Sequence, residues 1–535
     1  RHLLAMNGSD HVEPQPELPH LIEVADRALP DVEVRHGTLP QFAQAILDAD
    51  PDLKTHRGEM RDPAKAPLLP GVLSTRMWIK QRNHACETLL TSWAEPAVAL
   101  AEVVEAPLEL ENPSALVRQA WHYLLQNHPH DSICGCSIDQ VHREMEIRFD
   151  WVDQIGEDVT TQTLEALASA VHTPDVPSVV VFNPCSRERT DWVSARVPIP
   201  EDAEAITLDT DQGASITPQL SDRRREIVWE YKGGIDWIRG MLGHVKGGTI
   251  GGQAIHEIIT SVEETKAEVT VKVGAGAPPD REVVHQGFDH LKELVGKPEL
   301  ETVHILVYSG ETVACSFVAT DVPGHGYRSY TIHAATADTI KKPEIQPRVI
   351  ENSYLRVEVA DDGTLTVEDK ETGVSYEGLN RFVDVRDRGD EYNFCPVEDD
   401  VTIAEPVDTP QVHRIETAEA RQALEISMIY QVPVGLGETR HRRSAETTEL
   451  PITTRVSLTD GVPRVEIATT VANDASDHRL RAHFPVPVQV DTFDAESHMD
   501  VITRPLDLPT DTEGWIEEPV GTHPQRTWSD VSDGD

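Results

Sequence analysis

Lysine is scarce in this chain: 12 of its 47 basic residues are Lys and 35 are Arg, against 92 Asp and Glu, for a net charge of −45. So acidic a surface excludes nucleic acid as a natural partner, because displacing counterions from phosphate needs a basic face. The acidic residues are spread along the chain instead of forming one block, which describes a solvated coat and not an interaction tail. An acidic excess kept with Arg, whose fork grips carboxylates, suits a salt-rich cytoplasm, where ions screen self-repulsion. A generic acidic protein has the same composition.

Cysteine is also thin. Six residues, Cys86, Cys134, Cys136, Cys185, Cys315 and Cys395, are scattered over 535 positions, which is not a disulfide framework. Cys134 and Cys136 are separated by one residue, but no second Cys or His pair follows at zinc-finger spacing. Reduced thiols are expected. No apolar run is long enough to span a bilayer, so no membrane partner is expected. The chain opens at Arg1 without the basic-then-apolar order of a secretory signal. The expectation is a cytoplasmic protein with a further N-terminal part upstream.

What is present divides the chain in three. Residues 1–57 combine the loop MNGSDHVEPQP, an alternating stretch Val32-Glu33-Val34 and a helix expected over Leu39 to Leu47, as at the end of an α/β domain. Residues 58–173 begin with a Pro-rich, charged connector and then read as three helices. Ser74 is the expected cap of the first, which buries Ile79, Cys86, Leu89, Leu90 and Trp93. Asn112-Pro113 starts the second, and a Ser137/Gln140 capping box starts the third. Short connections make them a small bundle. From residue 174 the apolar period falls to two and turn residues recur, as in LRVEVADDGTLTVE, where Asp362-Gly363 supplies the turn. This predicts β-sandwich modules to residue 535, and overall a multidomain α+β protein.

Three segments carry groups with chemistry. Asp10 follows a glycine in a stretch that two prolines keep out of helix; such a loop can aim an acid into a cleft, or hold an ordinary Asx turn. Asn7-Gly8-Ser9 also fits a glycosylation acceptor. HPHDSICGC puts His128, His130 and Asp131 in the turn between two helices, where imidazole and carboxylate together suit zinc or cap a helix end. GDEYNFCP places Tyr392 and Phe394 on one face of a short extended segment, beside a sugar or half-buried in a sheet. Arg76, Lys80, Gln81 and Arg82 read as a solvated helix face.

Longer runs carry a family resemblance. LPGVLSTRMWIKQRNHACETLLTSWAEP and HPHDSICGCSIDQVHREMEIRFD resemble the signature region of glycoside hydrolase family 38, the alpha-mannosidases, in its bacterial and archaeal branch. VVVFNPCS, DRGDEYNFCP and DHRLRAHFPVPV resemble that family's β region, in the same order. The resemblance implies an α/β barrel-like catalytic domain, of which 1–57 is the C-terminal remnant, then a three-helix bundle and β-sandwich modules. It implies a retaining, zinc-dependent hydrolase of alpha-mannosides or mannosylated small molecules. His130 then completes the zinc site, Asp131 holds a mannose hydroxyl, Asp10 is the general acid and base, and Tyr392 lines the sugar pocket. In retaining geometry the paired carboxyl groups stand ~5–5.5 Å apart. The family's His-x-Asp and its nucleophilic aspartate are expected upstream of Arg1, and further strands beyond the C-terminal THPQRTWSDVSDGD. A non-catalytic carbohydrate-binding or scaffold subunit is the other reading, and a homo-oligomer stays open.

The charge generates the first prediction. Thermal unfolding occurs at a markedly lower temperature in low salt than in molar salt, because carboxylate repulsion is unscreened when the Debye length is long. A melting temperature indifferent to salt contradicts the halophilic reading.

Overall fold

The change of apolar period near residue 174 marks the main division of the molecule: helices before it, sheets after it. In the computed structural model the described residues are 2–8, 11–171, 176–199, 203–210, 212–234, 236, 249–250, 253–274, 281–336, 347–396, 400–417 and 420–533.

The first 57 residues contribute two helices, α1 (Leu18–Ala28) and α2 (Leu39–Ala49). Thr38 and Gln41 cap α2 reciprocally, each side chain bonding the other's backbone N–H. Neither helix buries a residue, so their apolar stripes face outward. Val32-Glu33-Val34 is not a strand: Val34 donates its N–H to Asp26 Oδ1 at 3.0 Å. A three-residue alternation with no neighbouring strand gives no ladder to join.

The bundle begins with a 3₁₀ turn, Pro70–Leu73, and then α3 (Met77–Thr88), which runs through a π-helical turn, Leu89–Ala94, into α4 (Glu95–Val103). Ser74 is not the cap, because its hydroxyl turns back to Gly71 O and the helix starts three residues later, after Arg76 at φ +46°. The second helix, α5 (Pro113–Leu125), starts as expected, with the Asn112 side chain accepting from Ala115 N–H. A short α6 (His130–Cys134) precedes the 32-residue α7 (Asp139–Ala170). The Ser137/Gln140 box does not form. Ser137 instead donates its N–H to Asp131 O and accepts from His142 Nε2, so it belongs to the turn after α6. Ile79, Leu90, Leu124, Met145, Phe149 and Val152 form a fully buried core between the three rods. Gly156 lets Leu89 lie against α7, where a Cβ would stand 2.6 Å from Leu89 Cδ2.

In the β region, strand Thr302–Val322 serves two cores. Its second half packs Val313, Cys315 and Phe317 against Leu208 and Tyr330 of a facing four-stranded sheet, which is a sandwich as expected. Its first half, Val303, Ile305 and Val307, packs with Val284, Leu291 and Leu294 of helix Arg281–Val295. The sequence reading missed that helix. Strand Lys266–Gly274 pairs with Thr302–Val322 in parallel, and a parallel neighbour needs the crossover that the helix supplies. The next sandwich joins Ile350, Val357 and Leu365 to Leu424, Ile426, Ile452 and Val456 across two four-stranded sheets. Its hairpin Leu355–Val359/Leu365–Asp369 turns at Gly363, φ +84°, with Asp362 Oδ1 accepting from Thr364 N–H.

Beside that sandwich, strand Arg381–Arg386 pairs with His478–His483 and leads directly into residues 387–396. Asp384, with no exposure, holds this pair in place by an ion pair to Arg443 at 2.6 Å and a hydrogen bond with His478. Last comes a three-stranded sheet that includes Asp500–Pro505. There the buried Arg504 grips both oxygens of Glu59 at 2.9 Å, fastening the connector to the C-terminal sheet across a cavity of about 300 Å³.

The Arg504 contact is testable. Arg504 hydrogen bonds hold the Glu59 carboxyl below its ordinary value of 4.5. A depressed carboxylate stabilises the fold above its unfolded pKa, and the contribution is lost as pH falls through the folded value. Arg504→Met is therefore expected to cost on the order of 1.5–3 kcal/mol at pH 7, measured by denaturant unfolding, and less at an acid pH below the folded Glu59 value. An equal cost at both pH values would place the effect in packing.

Candidate functional site

The turn HPHDSICGC is shaped by what surrounds it. Asn127, fully buried, donates to Met145 O at 3.1 Å and so pins the end of α5 to α7. His128 points inward, its Nε2 at 2.7 Å from Asn83 Oδ1, and burial lowers its pKa. His130 begins α6 with its side chain 92% exposed, Nε2 at 3.4 Å from Asp131 Oδ1. α6 stops at Gly135, φ +84°, which no β-carbon could follow cheaply with Thr75 O 3.2 Å from the Cβ position. Cys136 and Ser137 both donate their N–H groups to Asp131 O, at 3.1 and 3.2 Å.

Two residues read from sequence as solvated surface hold this turn. Lys80 donates from Nζ to Cys134 O at 2.9 Å and to Thr75 O. Arg76 donates from Nε to Gly135 O at 3.0 Å and pairs with Asp139. Both satisfy carbonyls at the end of α6 that the helix itself leaves open. Burial pushes the Lys80 ammonium down to about 8, and the thiols of Cys134 and Cys136 oppose the shift.

The second wall comes from the β region. Residues 387–396 form a loop built on two Asx turns, not an extended segment. Asp387 Oδ1 accepts from Gly389 and Cys395, and Asp390 Oδ1 from Tyr392 and Asn393. Gly389 is needed there, since a Cβ would fall 1.7 Å from Asn393 O. Phe394 is not beside Tyr392 in function: it lies under the Arg479 guanidinium, 4.5 Å from its ring centre. Tyr392 faces the bundle. Gly71 N–H donates to Tyr392 O at 2.8 Å, and Thr75 Oγ1 donates to Glu391 O at 2.8 Å. On the bundle side, the Cys136 thiol reaches Asp131 Oδ1 at 3.4 Å. Proximity to Cys136, then burial and the charge on Asp131, push the Tyr392 phenol above its ordinary value.

The structure thus brings His130 and Asp131 onto one accessible surface with Tyr392, far from them in sequence. Asp10 lies outside the described residues. Imidazole, carboxylate and phenol side by side can bind the hydroxyl groups of a polyol. They do not make a zinc centre by themselves: among the described residues no group of three or more His, Cys, Asp and Glu could hold a metal, and a catalytic zinc keeps three protein ligands.

Comparison with known families agrees with this architecture. The alpha mannosidase middle domain matches residues 68–167, and the glycosyl hydrolases family 38 C-terminal domain matches residues 350–535. The chain belongs to glycosyl hydrolase family 38. It is 27% identical over 550 aligned positions to a putative mannosylglycerate hydrolase of Halalkalibacterium halodurans, an alignment covering 98% of this chain and 55% of that protein. Among solved structures it shares its fold with an alpha-mannosidase from Enterococcus faecalis V583, at TM-score 0.72 and 22% identity over 96% of this chain and 55% of the other. A family 38 glycosyl hydrolase from Enterococcus faecalis gives TM-score 0.66 and 22% identity over 94% of this chain and 54% of the other. The chain spans about half the length of these relatives.

The Lys80 clamp yields a prediction with a definite sign. Its folded pKa is depressed to about 8 from 10.5, so between those values the unfolded chain binds the extra proton and stability rises with pH. Subtracting the pH profile of Lys80→Met from that of the parent chain should leave this rise, read by denaturant unfolding from pH 7 to 10.5. A flat difference would mean that the ammonium is solvated.

Proposed function

We propose that this chain supplies the bundle and β-region walls of a retaining, metal-dependent alpha-mannosidase. Its substrates are alpha-mannosides, including small molecules capped by mannose, in keeping with the name of the Halalkalibacterium relative. The observation that carries the reading is the convergence of His130 and Asp131 on α6 with Tyr392 from the 387–396 loop. Asp131 accepts a hydrogen bond from a mannose hydroxyl, and Tyr392 borders the same sugar. His130, exposed and first on its helix, offers one imidazole to a zinc ion whose other ligands come from outside the described residues. When bound, such an ion supplies charge that grips sugar hydroxyls. Asp10 is the general acid and base, working across the sugar from a nucleophilic aspartate that the described residues do not include. The protein works in a salt-rich cytoplasm; no helix among the described residues is long and apolar enough to cross a membrane.

The test uses the protein carrying this chain together with a His-x-Asp segment and a nucleophilic aspartate. It should release mannose from aryl alpha-mannosides with retained configuration, and His130→Ala should weaken both zinc binding, by calorimetry, and turnover. Asp10→Asn should slow mannosides with poor leaving groups by roughly 10²–10⁴-fold while sparing activated aryl mannosides in the first step. Stoichiometric zinc binding untouched by His130→Ala would show the metal placed wrongly. Equal losses on both substrate classes would remove Asp10 from its role, and mannose binding without turnover would favour the non-catalytic subunit.

A further inference from the structure

Thr75 stands where the two walls of the proposed site meet, and each of its branches serves one of them. Its Oγ1 lies 2.8 Å from Glu391 O, next to Tyr392 in the loop, and 3.0 Å from Gly71 O. A hydroxyl has one proton to give. Gly71 O already accepts the backbone N–H groups of Ser74 and Thr75, both at 3.0 Å, whereas Glu391 O has no other hydrogen bond among the described residues. The shorter contact therefore takes the proton, and the hydroxyl belongs to the loop. The other branch faces the bundle. A Cβ on Gly135 would stand 3.3 Å from Thr75 Cγ2 and 3.2 Å from Thr75 O, so the turn that ends α6 lies directly against this residue.

The same turn closes on Asp131, whose carbonyl accepts the N–H groups of Cys136 and Ser137. Thr75 O strengthens the join, because Lys80 Nζ donates both to it and to Cys134 O. Arg76, the next residue, adopts φ +46° although it is not glycine, a conformation few side chains accept, and from there its Nε reaches Gly135 O at 3.0 Å. Hydrogen bonds and packing contacts therefore run without a break from the Tyr392 loop through Thr75 to the Asp131 turn.

We infer that Thr75 is a positioning residue for sugar recognition: its hydroxyl holds the Glu391–Tyr392 backbone against the α6 turn and so sets the spacing between Tyr392 and Asp131. This rests on the roles proposed above for those two residues. Gly71 N–H fixes Tyr392 O at one point, and a loop held by one hydrogen bond can still swing about it. The Thr75 hydroxyl holds the adjacent carbonyl, and two points fix the orientation that one leaves free.

The experiment compares Thr75→Val, which keeps the branched shape without the hydroxyl, with Thr75→Ser, which keeps the hydroxyl, in the complete enzyme. Thr75→Val should raise KM for an aryl alpha-mannoside roughly three- to tenfold, the scale of one neutral hydrogen bond, with kcat changed less than about twofold. Thr75→Ser should keep KM within about twofold of the parent. Tyr392→Ala supplies a readout that a merely structural role would not move: once the positioned side chain is gone, adding Thr75→Val should raise KM no further. Equal KM values in the Val and Ser variants, a lowered melting temperature with KM unchanged, or effects of Thr75→Val and Tyr392→Ala that simply multiply would overturn the inference. Asp131→Asn separates the two levels. If it and Tyr392→Ala both leave KM unchanged, the proposed sugar roles fail and the inference with them; if either raises KM while Thr75→Val does not, only the positioning role fails. Should the Val variant not fold, Thr75→Ala takes its place with the same expected outcomes, since truncation introduces no clash.

Discussion

The hydrogen bond from Gly71 N–H to the carbonyl of Tyr392 is the constraint around which the candidate site is arranged. It can form only because residue 71 lacks a side chain: a Cβ there would stand 2.6 Å from the same carbonyl oxygen. Through it the first turn of the bundle and a loop more than 300 residues further along the chain become one surface. Everything near it serves that approach. The two Asx turns give the 387–396 loop its shape, and Glu517 receives the N–H groups of Leu68 and Leu69 just ahead of the contact. Asp384 and Arg443 then secure the strand that carries the loop.

Local signals in the sequence were read correctly where the physics is local. Asn112-Pro113 starts a helix because both the cap and the missing donor act within three residues. The Leu355–Asp369 hairpin turns where Asp362-Gly363 allows a positive φ. The same rules misplaced Ser74 and Ser137, whose polar groups found tertiary or turn partners in place of helix caps. Lys80 and Arg76 were legible only as a polar helix face, since the carbonyls they satisfy belong to residues 54 and 59 positions away. No spacing rule reports a partner at that distance. The roles of Tyr392 and Asp131 came from family resemblance, and their proximity is visible only once bundle and loop are docked.

The preference for arginine over lysine has a structural counterpart. Arg464 bridges Asp191 of one sandwich and Glu466 of the next, at 2.9 and 2.7 Å, while Arg421 pairs with Glu416 and Glu466. One planar fork serving two carboxylates neutralises clustered acid while ordering fewer side chains than separate lysines would. Arg421, Glu416 and Glu466 all belong to one sheet, whereas the Arg464–Asp191 bridge joins two modules and so also fixes their orientation. Most other ion pairs are exposed and add little each. At that junction the acidic side chains are matched by arginine.

This distribution of order bears on how the site works. The carbonyl clamps of Lys80 and Arg76, the glycine at 135 and the docked loop all restrict Asp131 and Cys136, yet His130 beside them projects 92% exposed, with Asp131 its one polar partner among the described residues. A rigid turn that presents one imidazole freely is suited to completing a site whose other groups approach from the solvent side of α6. The Asp131 carboxylate, with Cys136 Sγ 3.4 Å from Oδ1, sits on that same rigid turn. Preorganisation thus falls on the groups proposed to recognise the sugar, which must be oriented before it arrives. The imidazole can be ordered later by its ligand, because a metal bond is strong enough to fix one side chain on an already rigid helix.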